Sequence, residues 1–300
     1  MKTYKNGNTL VAISEQDGTK IRYIPDGQTP KPVRPESIDI KITNRCLVDP
    51  PCQMCHEMSG REGRHANLNH PLLDSIEPYT ELAIGGGDPF QHPDLEQFLT
   101  RMKEQKVFCN LTVHWRTFLA EFSRLQQWVS EGLVHGLGIS INEVVPCETI
   151  DKIQEFPTAV VHCVLGMADE AVYRQIEDRG FNVLLLGYKT FGRGAMYRSE
   201  HVDTISANID YVKHNLEEMI QRFKAVCFDN LAIEQLEVKK RLSSDSFDQI
   251  YMGSDGAFTM YIDLVKEQYA MSSTSKRYDI FSNDIKKLFA DVRKKAGHAT

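Results

Sequence analysis

The sequence SIDIKITNRCLVDPPCQMCHE, residues 37–57, places three cysteines directly after a strand pattern. The segment SIDIKI is predicted to form a β-strand, and Cys46, Cys52 and Cys55 follow it in the next loop. A structural zinc site normally has four cysteine or histidine ligands, so three cysteines leave one coordination position open. Either a neighbouring side chain such as His56 fills that position, or the open position is a requirement of the site.

The composition is that of a soluble globular protein. The chain has 300 residues, of which 41% are hydrophobic and 25% are charged, and this length suits one large α/β domain or two modest ones. The first residues show no pattern of a secretory signal, and no apolar run approaches the roughly 18 residues of a membrane span. We therefore predict a cytoplasmic protein without a membrane segment.

The cysteine count and the net charge argue against two further classes of protein. Seven cysteines are an odd number, and thiols stay reduced in the cytoplasm, so the cysteines do not indicate a disulfide framework. The formal net charge of −6 argues against tight binding of a long nucleic acid, which requires a basic surface. The three clustered cysteines are therefore more informative than the overall composition.

Alternating strand and helix patterns predict a parallel sheet in the middle of the chain. Five of the six predicted strands carry nearly continuous apolar residues, and the intervals between strands accommodate crossover helices. Both features are typical of a buried parallel sheet built from βα units. Six such units predict an α/β fold with a partial rather than an eightfold barrel, over residues 36–226. The predicted strands are residues 37–42, 81–87, 106–113, 134–142, 158–166 and 182–188.

The two ends of the chain are predicted to flank this sheet. Residues 1–35 contain a strand pattern that turns at Asp17 and the glycine after it, which predicts an N-terminal hairpin followed by a proline-rich linker. Residues 227–300 are predicted to form a small α+β extension packed on the barrel, with a hairpin about Asp255 and a closing basic helix.

Polar residues and glycines gather at the carboxyl ends of the predicted strands. In parallel βα architectures these ends lie at one edge of the sheet and carry the functional groups. The cysteines follow the first strand, GGGDP at residues 85–89 follows the second, and Ser140 lies near the end of the fourth. We therefore expect a functional site at this edge.

The three cysteines followed by GGGDPFQHPDL, residues 85–95, resemble the radical S-adenosylmethionine superfamily. That superfamily usually carries C-x3-C-x2-C after its first strand and a GGEP-like stretch after its second. Here the first cysteine spacing is five residues instead of three, and Asp88 replaces the usual glutamate while keeping a carboxylate. The resemblance covers roughly residues 36–200 and is strongest in the first half of that range.

The resemblance implies a fold, two cofactors and a reaction. The fold is a partial (β/α)6 TIM-like barrel, and the cofactors are one 4Fe–4S cluster and S-adenosyl-L-methionine. Cys46, Cys52 and Cys55 would bind three irons, and the amino and carboxylate groups of S-adenosylmethionine would bind the fourth. Reduction of the cluster, by a donor such as flavodoxin or ferredoxin, would cleave the cofactor to a 5′-deoxyadenosyl radical that abstracts hydrogen from a substrate.

The resemblance also implies cofactor-binding residues after the second strand. Gly86 and Gly87 would let the backbone approach the amino group of S-adenosylmethionine closely, and the Asp88 carboxylate would suit that ammonium. For this stretch taken alone, a simple turn is the alternative interpretation.

Five further residues are candidates for cofactor binding at the later strand ends. Ser140 and Asn142 could hold the ribose hydroxyls or the cofactor carboxylate, and Gly166 could flank the adenine. Lys189 and Arg193 could neutralise the cofactor carboxylate or a substrate anion. Ordinary strand-end capping is the alternative for Ser140 and Asn142, and a solvated loop charge is the alternative for Lys189 and Arg193.

The remaining four cysteines are predicted to be small buried residues, although one of them could relay a radical. No further group of cysteines indicates a second cluster. For the clustered cysteines, the alternative is a zinc site completed by His56, and for the whole protein it is a non-catalytic iron–sulfur sensor. The four remaining cysteines are Cys109, Cys147, Cys163 and Cys227.

The sequence leaves two classes of substrate open. The C-terminal extension resembles, weakly, that of peptide-modifying radical enzymes without their extra cluster cysteines, which favours a peptide or an amino-acid-derived group. The single-cluster layout is also similar to stand-alone members of the superfamily, including phage-encoded ones, that act on nucleosides, nucleotides or hypermodified DNA bases. A small molecule, a peptide or a nucleotide is therefore the expected partner.

Overall fold

The computed structural model describes residues 1–15, 19–25 and 27–298. Across these ranges the chain forms two sheets, one of three strands and one of ten, and helices connect the strands of the larger sheet. None of the helices in these ranges is long and apolar enough to cross a membrane.

The smaller sheet is formed near the N-terminus by β1 (Lys2–Asn6), β2 (Thr9–Ile13) and β3 (Lys20–Tyr23). The strands are antiparallel, in the order β1-β2-β3. The pairing of β2 with β3 agrees with the predicted hairpin, whereas β1 is a third strand that the prediction missed. The predicted turn at Asp17 and Gly18 lies outside the described residues.

The larger sheet is mostly parallel. It contains β4 (Ser37–Thr43), β5 (Glu81–Gly86), β6 (Phe108–His114), β7 (Gly136–Ser140), β8 (Ala159–Val164), β9 (Asn182–Leu186), β10 (Ala225–Phe228), β11 (Thr259–Asp263), β12 (Gln268–Ala270) and β13 (Tyr278–Asp279). Their order across the sheet is β10-β9-β8-β7-β6-β5-β4-β11-β12-β13. Neighbours from β10 to β11 in this order are parallel, and β12 and β13 are added antiparallel.

The six predicted strands correspond to β4–β9, so the prediction of a mixed α/β fold with a large parallel sheet is confirmed. The barrel is not confirmed, because neither sheet in the described ranges closes on itself. The prediction also missed the parallel strand β10, and it did not place β11 in the large sheet. β10 crosses the predicted boundary after residue 226, and β11 pairs with β4, so the C-terminal region contributes three strands to the same sheet.

The predicted hairpin about Asp255 is wrong. The prediction covered residues 250–264, but residues 251–258 contain no strand, so the first arm is absent and β11 corresponds to the second arm. The helix Ser244–Ile250 ends where the first arm was predicted to begin, and the Ser243 hydroxyl caps its start by accepting a hydrogen bond of 3.2 Å from the backbone N–H of Ser246. β11 instead pairs antiparallel with β12 through the turn at residues 264–267.

The helices of the large sheet are amphipathic and bury one face. In the first helix, Leu95, Phe98, Leu99 and Met102 recur at helical spacing and are buried. Burial of one such side chain contributes about 1.5–3 kcal/mol. The nine helices in the described ranges are α1 (Leu95–Glu104), α2 (Trp115–Ala120), α3 (Phe122–Ser130), α4 (Cys147–Gln154), α5 (Glu170–Ile176), α6 (Arg193–Arg222), α7 (Asn230–Gln235), α8 (Ser244–Ile250) and α9 (Ile285–Lys295).

The two faces of the large sheet differ in polarity. On β4, Ile38, Ile40 and Ile42 belong to the hydrophobic core, whereas Asp39 and Lys41 lie on the opposite face because successive side chains of a strand alternate. Neighbouring strands continue this second face in register with β4. This polar face comprises Asp39, Lys41, Ala83, Gly85, Asn110, Thr112, His114, Gly136, Gly138, Ser140, His162, Tyr261 and Asp263.

Small residues leave room on the polar face. A Cβ at Gly136 would lie 2.7 Å from the amide oxygen of Asn110, and a Cβ at Gly138 would lie 2.3 Å from the imidazole of His162. These two glycines therefore let the longer side chains lie flat against β7. At Gly85 no atom lies within 4 Å of the Cβ position, so the polar face is open there.

Ion pairs hold the N-terminal sheet against the amino ends of the central strands. Lys20 Nζ lies 2.6 Å from Glu81 Oε2, and Arg22 Nε lies 2.7 Å from Glu36 Oε2. The Arg22 guanidinium also lies 3.9 Å from the ring centroid of Phe258. Glu81 begins β5, and Glu36 and Phe258 directly precede β4 and β11. The small sheet therefore covers the end of the large sheet opposite to the cysteines.

Candidate functional site

The cysteine loop, residues 44–64, follows β4 and folds back on itself. The backbone N–H of Asn44 donates to the carbonyl of Arg64 at 2.8 Å, and that of Cys46 donates to the carbonyl of Gly60 at 3.0 Å. These bonds hold the two arms of the loop together at the carboxyl end of β4. The structure therefore places the three cysteines at the sheet edge where the sequence predicted them.

The three thiols of the loop form no disulfide, are partly exposed and influence one another electrostatically. Burial raises the pKa of Cys46. Burial, and then the neighbouring thiols of Cys55 and Cys46, raise the pKa of Cys52 to about 11, while the Arg193 guanidinium opposes this rise. A bound cationic metal group would favour the thiolates, because the deprotonated sulfur is the ligand. The chemistry of these donors therefore fits a metal group.

A zinc ion and an iron–sulfur cluster require different arrangements of the three thiols. In the ranges that the structure describes, no three His, Cys, Asp or Glu side chains are close enough to share one ion. Zinc–sulfur bonds of about 2.3 Å would require thiolates within about 4 Å of one another. An iron–sulfur cluster requires less convergence, because the thiolates bind different irons. His56, the alternative fourth zinc ligand, has its Nε2 3.6 Å from Glu57 Oε1.

Arg193 holds the cysteine loop from outside it. At the start of α6, its backbone N–H donates to the carbonyl of Cys55 at 3.1 Å. Its Nε donates to the carbonyl of Cys52 and its Nη1 to that of Ser59, both at 2.9 Å. The structure thus gives this guanidinium partners in the cysteine loop, and its binding of a cofactor carboxylate or a substrate anion stays a prediction.

Gly86 and Gly87 bring the end of β5 against the start of the cysteine loop. Gly86 has φ 115°, a conformation that favours glycine, and a Cβ there would lie 2.4 Å from the carbonyl oxygen of Thr43. A Cβ at Gly87 would lie 2.2 Å from the carbonyl oxygen of Arg45. Backbone hydrogen bonds run from Gly87 to Thr43 at 2.8 Å and from Asp88 to Arg45 at 2.9 Å. The two sequence motifs therefore touch, and contact with a cofactor stays a prediction.

The Asp88 carboxylate faces the protein interior. The residue is 6% exposed, and its oxygens accept hydrogen bonds from the Phe90 N–H at 3.1 Å, the Gln91 amide at 3.3 Å and the Thr117 hydroxyl at 3.1 Å. Burial raises the pKa of Asp88 above its usual value, and these hydrogen bonds oppose the rise without cancelling it. Both oxygens are thus engaged within the protein, and contact with an ammonium group stays a prediction.

Three other residues were predicted to contact the cofactor, namely Ser140, Asn142 and Gly166. Ser140 ends β7 on the polar face. The Asn142 amide oxygen accepts a hydrogen bond from the Val164 N–H at 2.6 Å, so Asn142 joins the ends of β7 and β8 as the capping alternative predicts. Gly166 has φ 81°, and a Cβ there would lie 2.7 Å from the side chain of Ile205 in α6.

Lys189 follows β9 and reaches the C-terminal part of the chain. Its Nζ donates to the Ser273 hydroxyl at 3.1 Å. Burial and then the Lys189 charge lower the pKa of His56 to about 3. Desolvation by the surrounding strands raises the pKa of Asp39, although its side chain is exposed, and the Lys189 charge opposes this rise. Lys189 therefore lies between the cysteine loop and the polar face, a position compatible with the predicted binding of an anion.

The sequence analysis missed a buried group of charges beside the cysteine loop, here called the charge quartet: Lys41, Glu57, Asp263 and Arg277. Lys41 Nζ lies 2.6 Å from Glu57 Oε2 and 3.4 Å from Asp263 Oδ2. Arg277 binds the same two carboxylates, with its Nη2 2.7 Å from Glu57 Oε1. A lysine and an aspartate inside otherwise apolar strands were the signals that could have revealed this group.

The four cysteines outside the loop are not all buried. Cys109 and Cys163 are buried as predicted, and burial raises the pKa of Cys163 to about 12. Cys147 and Cys227 are exposed, which corrects the prediction for these two. Cys147 is the first residue of α4, and Cys227 lies in β10 at the edge of the sheet, where only one neighbouring strand covers it.

Comparison with known proteins identifies structures with a similar fold. No protein-family profile and no curated relative matches the chain. SuiB from Streptococcus suis, in a structure bound to S-adenosylmethionine, matches 86% of this chain with a TM-score of 0.60 and 14% sequence identity. SuiB bound to the precursor peptide SuiA matches 86% of this chain with a TM-score of 0.57 and 15% identity.

The matched region is smaller than SuiB itself. The alignments cover 66% and 65% of the two SuiB chains, so the whole-protein activity of SuiB does not transfer to this chain. At 14–15% identity the likeness shows the fold alone. The chain therefore has the fold of SuiB, a radical S-adenosylmethionine enzyme, in agreement with the superfamily resemblance of its cysteine and GGGDP motifs.

Proposed function

We propose that this protein is a radical S-adenosylmethionine enzyme that binds one 4Fe–4S cluster through Cys46, Cys52 and Cys55. One observation carries the proposal. Where β4 passes into the cysteine loop, the carbonyls of Thr43 and Arg45 accept backbone hydrogen bonds from Gly87 and Asp88 at one edge of the sheet, in a fold shared with SuiB bound to S-adenosylmethionine. Two motifs that lie apart in the sequence thus meet where the proposed cofactors need both.

The proposed roles of the residues follow from these contacts. A 4Fe–4S cluster with S-adenosylmethionine would supply the one-electron cleavage that produces the 5′-deoxyadenosyl radical. Arg193 would keep the cysteine loop in place through its carbonyls, and Asp88 would hold the glycine segment rather than bind the cofactor amine. That amine would meet the backbone near Gly85, where the polar face is open. Ser140 would offer a hydroxyl to the ribose, and Lys189 a positive charge to a carboxylate.

The finer features of the fold are part of the same proposal. We place a partial (β/α)6 barrel at residues 36–226, flanked by residues 1–35 and 227–300. The likeness to SuiB supports this arrangement. A flavodoxin or ferredoxin as electron donor and a cytoplasmic location remain predictions from the sequence.

A peptide or an amino-acid-derived group is the proposed substrate. SuiB was solved with the precursor peptide SuiA, and this likeness supports the choice. In this chain the C-terminal region borders the proposed site, since Tyr261 and Arg277 both bind Glu57 of the cysteine loop. The neighbouring polar face offers a carboxylate at Asp39 and an ammonium at Lys189, which suits the mixed polarity of a peptide.

The proposal is tested by the anaerobic production of 5′-deoxyadenosine. The protein is reconstituted with iron and sulfide, reduced, supplied with S-adenosylmethionine and analysed by chromatography. Cys55→Ala is expected to abolish the product, because it removes one cluster ligand. Cys147→Ala is the matched control, because it removes an exposed cysteine outside the loop, and it is expected to retain the product.

The other outcomes point to the alternatives. A cluster that assembles without cleaving the cofactor under any reductant would favour the non-catalytic sensor, and uptake of zinc with refusal of iron would refute the proposal. Once cleavage is established, candidate peptides and nucleotides are added separately. An enhanced yield of 5′-deoxyadenosine with nucleosides or nucleotides, and not with peptides, would replace the proposed substrate class by the second one.

A further inference from the structure

The charge quartet connects the cysteine loop to the C-terminal part of the chain. Lys41 lies in β4, Glu57 lies two residues after Cys55, Asp263 ends β11 and Arg277 directly precedes β13. The side chains of Lys41 and Glu57 are 3% and 7% exposed, and that of Asp263 is fully buried. Each cation binds both carboxylates, so the quartet has no net charge and no member is left unpaired.

Glu57 is the attachment point of the cysteine loop in this group. Besides Lys41 and Arg277, its carboxylate accepts a hydrogen bond from the Tyr261 hydroxyl at 2.8 Å. The Arg277 guanidinium also lies 4.9 Å from the ring centroid of Tyr261. All three donors lie outside the cysteine loop, on β4, on β11 and before β13. A buried carboxylate is stable only when it is paired, so these donors fix where this part of the loop can lie.

A second chain of contacts links the same C-terminal segment to the loop. Arg277 Nη2 donates to the Ser273 carbonyl at 3.3 Å, and the Ser273 hydroxyl accepts from Lys189 at 3.1 Å. Four residues after Lys189, Arg193 binds two carbonyls of the cysteine loop. Residues 273–277 therefore reach the cysteine loop directly, through the quartet, and indirectly, through the segment after β9.

We propose that Glu57 is a positioning residue, which together with Arg277 holds the cysteine loop in the conformation that presents its three thiols for cluster binding. The role of the thiols rests on the proposed function, but the dependence of the loop on the quartet can be measured without any cluster. The two residues are 220 positions apart in the sequence, so the C-terminal segment would control the geometry of a loop that is distant from it along the chain.

The test compares two buried carboxylates. Glu57→Gln removes the charge from the quartet while keeping the size of the side chain. Glu36→Gln is the matched control, because the Glu36 side chain is fully buried and pairs with Arg22 at 2.7 Å and with Lys20 at 4.0 Å, at the end of the sheet away from the cysteine loop. Both changes remove one carboxylate charge from a buried group of ion pairs, and both are expected to lower the melting temperature.

Thiol reactivity in the apoprotein separates loosening of the loop from general unfolding. The anaerobic apoproteins are treated with iodoacetamide, and the rate at each cysteine is measured by mass spectrometry. Glu57→Gln is expected to speed the reaction of Cys52 and Cys55 by at least about tenfold, because local opening becomes easier. The buried Cys109 and Cys163 report global unfolding and are expected to change little. Equal acceleration at both pairs, or equal loosening by the Glu36 control, would overturn the proposal.

A second variant asks whether the bridging geometry matters as well as the charge. Arg277→Lys keeps the charge but loses the fork that binds both carboxylates, so it is expected to loosen the loop selectively as Glu57→Gln does. After reconstitution, both variants are expected to hold less iron per chain and to show an altered paramagnetic resonance spectrum. Parental thiol rates in Arg277→Lys would overturn the role of Arg277. A parent that takes up no cluster would instead refute the proposed function, while the thiol rates still decide the positioning role.

Discussion

Replacing Gly87 by alanine tests the contact that joins the two motifs of the proposed site. The new Cβ would lie 2.2 Å from the carbonyl oxygen of Arg45 and 2.8 Å from its carbonyl carbon, so the glycine segment or the cysteine loop must move. That movement breaks the backbone hydrogen bonds from Gly87 to Thr43 and from Asp88 to Arg45. With about 1 kcal/mol for each bond and about 1–3 kcal/mol of strain, the free energy of unfolding should fall by about 3–5 kcal/mol.

Gly85→Ala is the matched control, because its Cβ position has no neighbour within 4 Å. We expect its stability to equal that of the parent or to exceed it by up to about 1 kcal/mol, since alanine loses less backbone entropy than glycine on folding. Its methyl group would instead project where we propose that S-adenosylmethionine binds. Gly85→Ala should therefore weaken cofactor binding while leaving the fold intact.

Two measurements separate these effects. Urea unfolding of the apoproteins, followed by circular dichroism, gives the stability, and calorimetric titration of the reconstituted proteins gives the affinity for S-adenosylmethionine. A Gly87→Ala protein as stable as Gly85→Ala would refute the reasoning from the glycine contacts. Unchanged affinity in Gly85→Ala would place the cofactor away from this part of the polar face.

Three further predictions concern single side chains. Arg193→Gln removes the guanidinium hydrogen bonds to the cysteine loop, so amide exchange in the loop should accelerate by at least about tenfold, whereas equal acceleration in β8 would contradict a local role. Thr117→Val removes a hydrogen-bond donor to the buried Asp88 carboxylate and should lower the free energy of unfolding in urea by about 1 kcal/mol. An unchanged urea midpoint would show that this hydrogen bond does not stabilise the fold. Burial lowers the pKa of His162 from 6.5 to about 4 in the folded protein. Between these two pH values the unfolded chain binds the proton more readily than the folded chain, so the free energy of unfolding decreases as the pH falls from about 6.5 to about 4. His162→Gln should flatten that dependence in thermal melts, and an identical slope would assign it to other groups.

The features that depend on local pattern were predictable from the sequence. Apolar runs were sufficient for β4–β9, and the cysteine spacing with GGGDP located the site, because parallel strands place their carboxyl ends at one edge. β10 escaped notice because it has only four residues and lies at the sheet edge. The segment that forms β11 was predicted as one arm of a hairpin, and its pairing with β4 was missed because β4 lies far away in the sequence.

The partners of the functional side chains were not predictable, because they depend on long-range contacts. Arg193 binds the carbonyl of Cys52 across 141 positions, and Lys41 meets Asp263 across 222. The sequence predicted that Arg193 binds an anion. The folded chain shows that its guanidinium donates hydrogen bonds to the carbonyls of Cys52 and Ser59. Gly86 and Gly87 were predicted to let the backbone approach the cofactor, and the groups that lie closest to them are the carbonyls of Thr43 and Arg45.

The position of β11 beside β4 sets the order in which this chain can fold during synthesis. The 222 residues between Lys41 and Asp263 take a ribosome about 11–44 s at about 5–20 residues per second. Throughout that time β4 has one unpaired edge, and Glu57 lacks both Tyr261 and Arg277. The cysteine loop therefore acquires its contacts with Tyr261 and Arg277 long after its own residues have been synthesised.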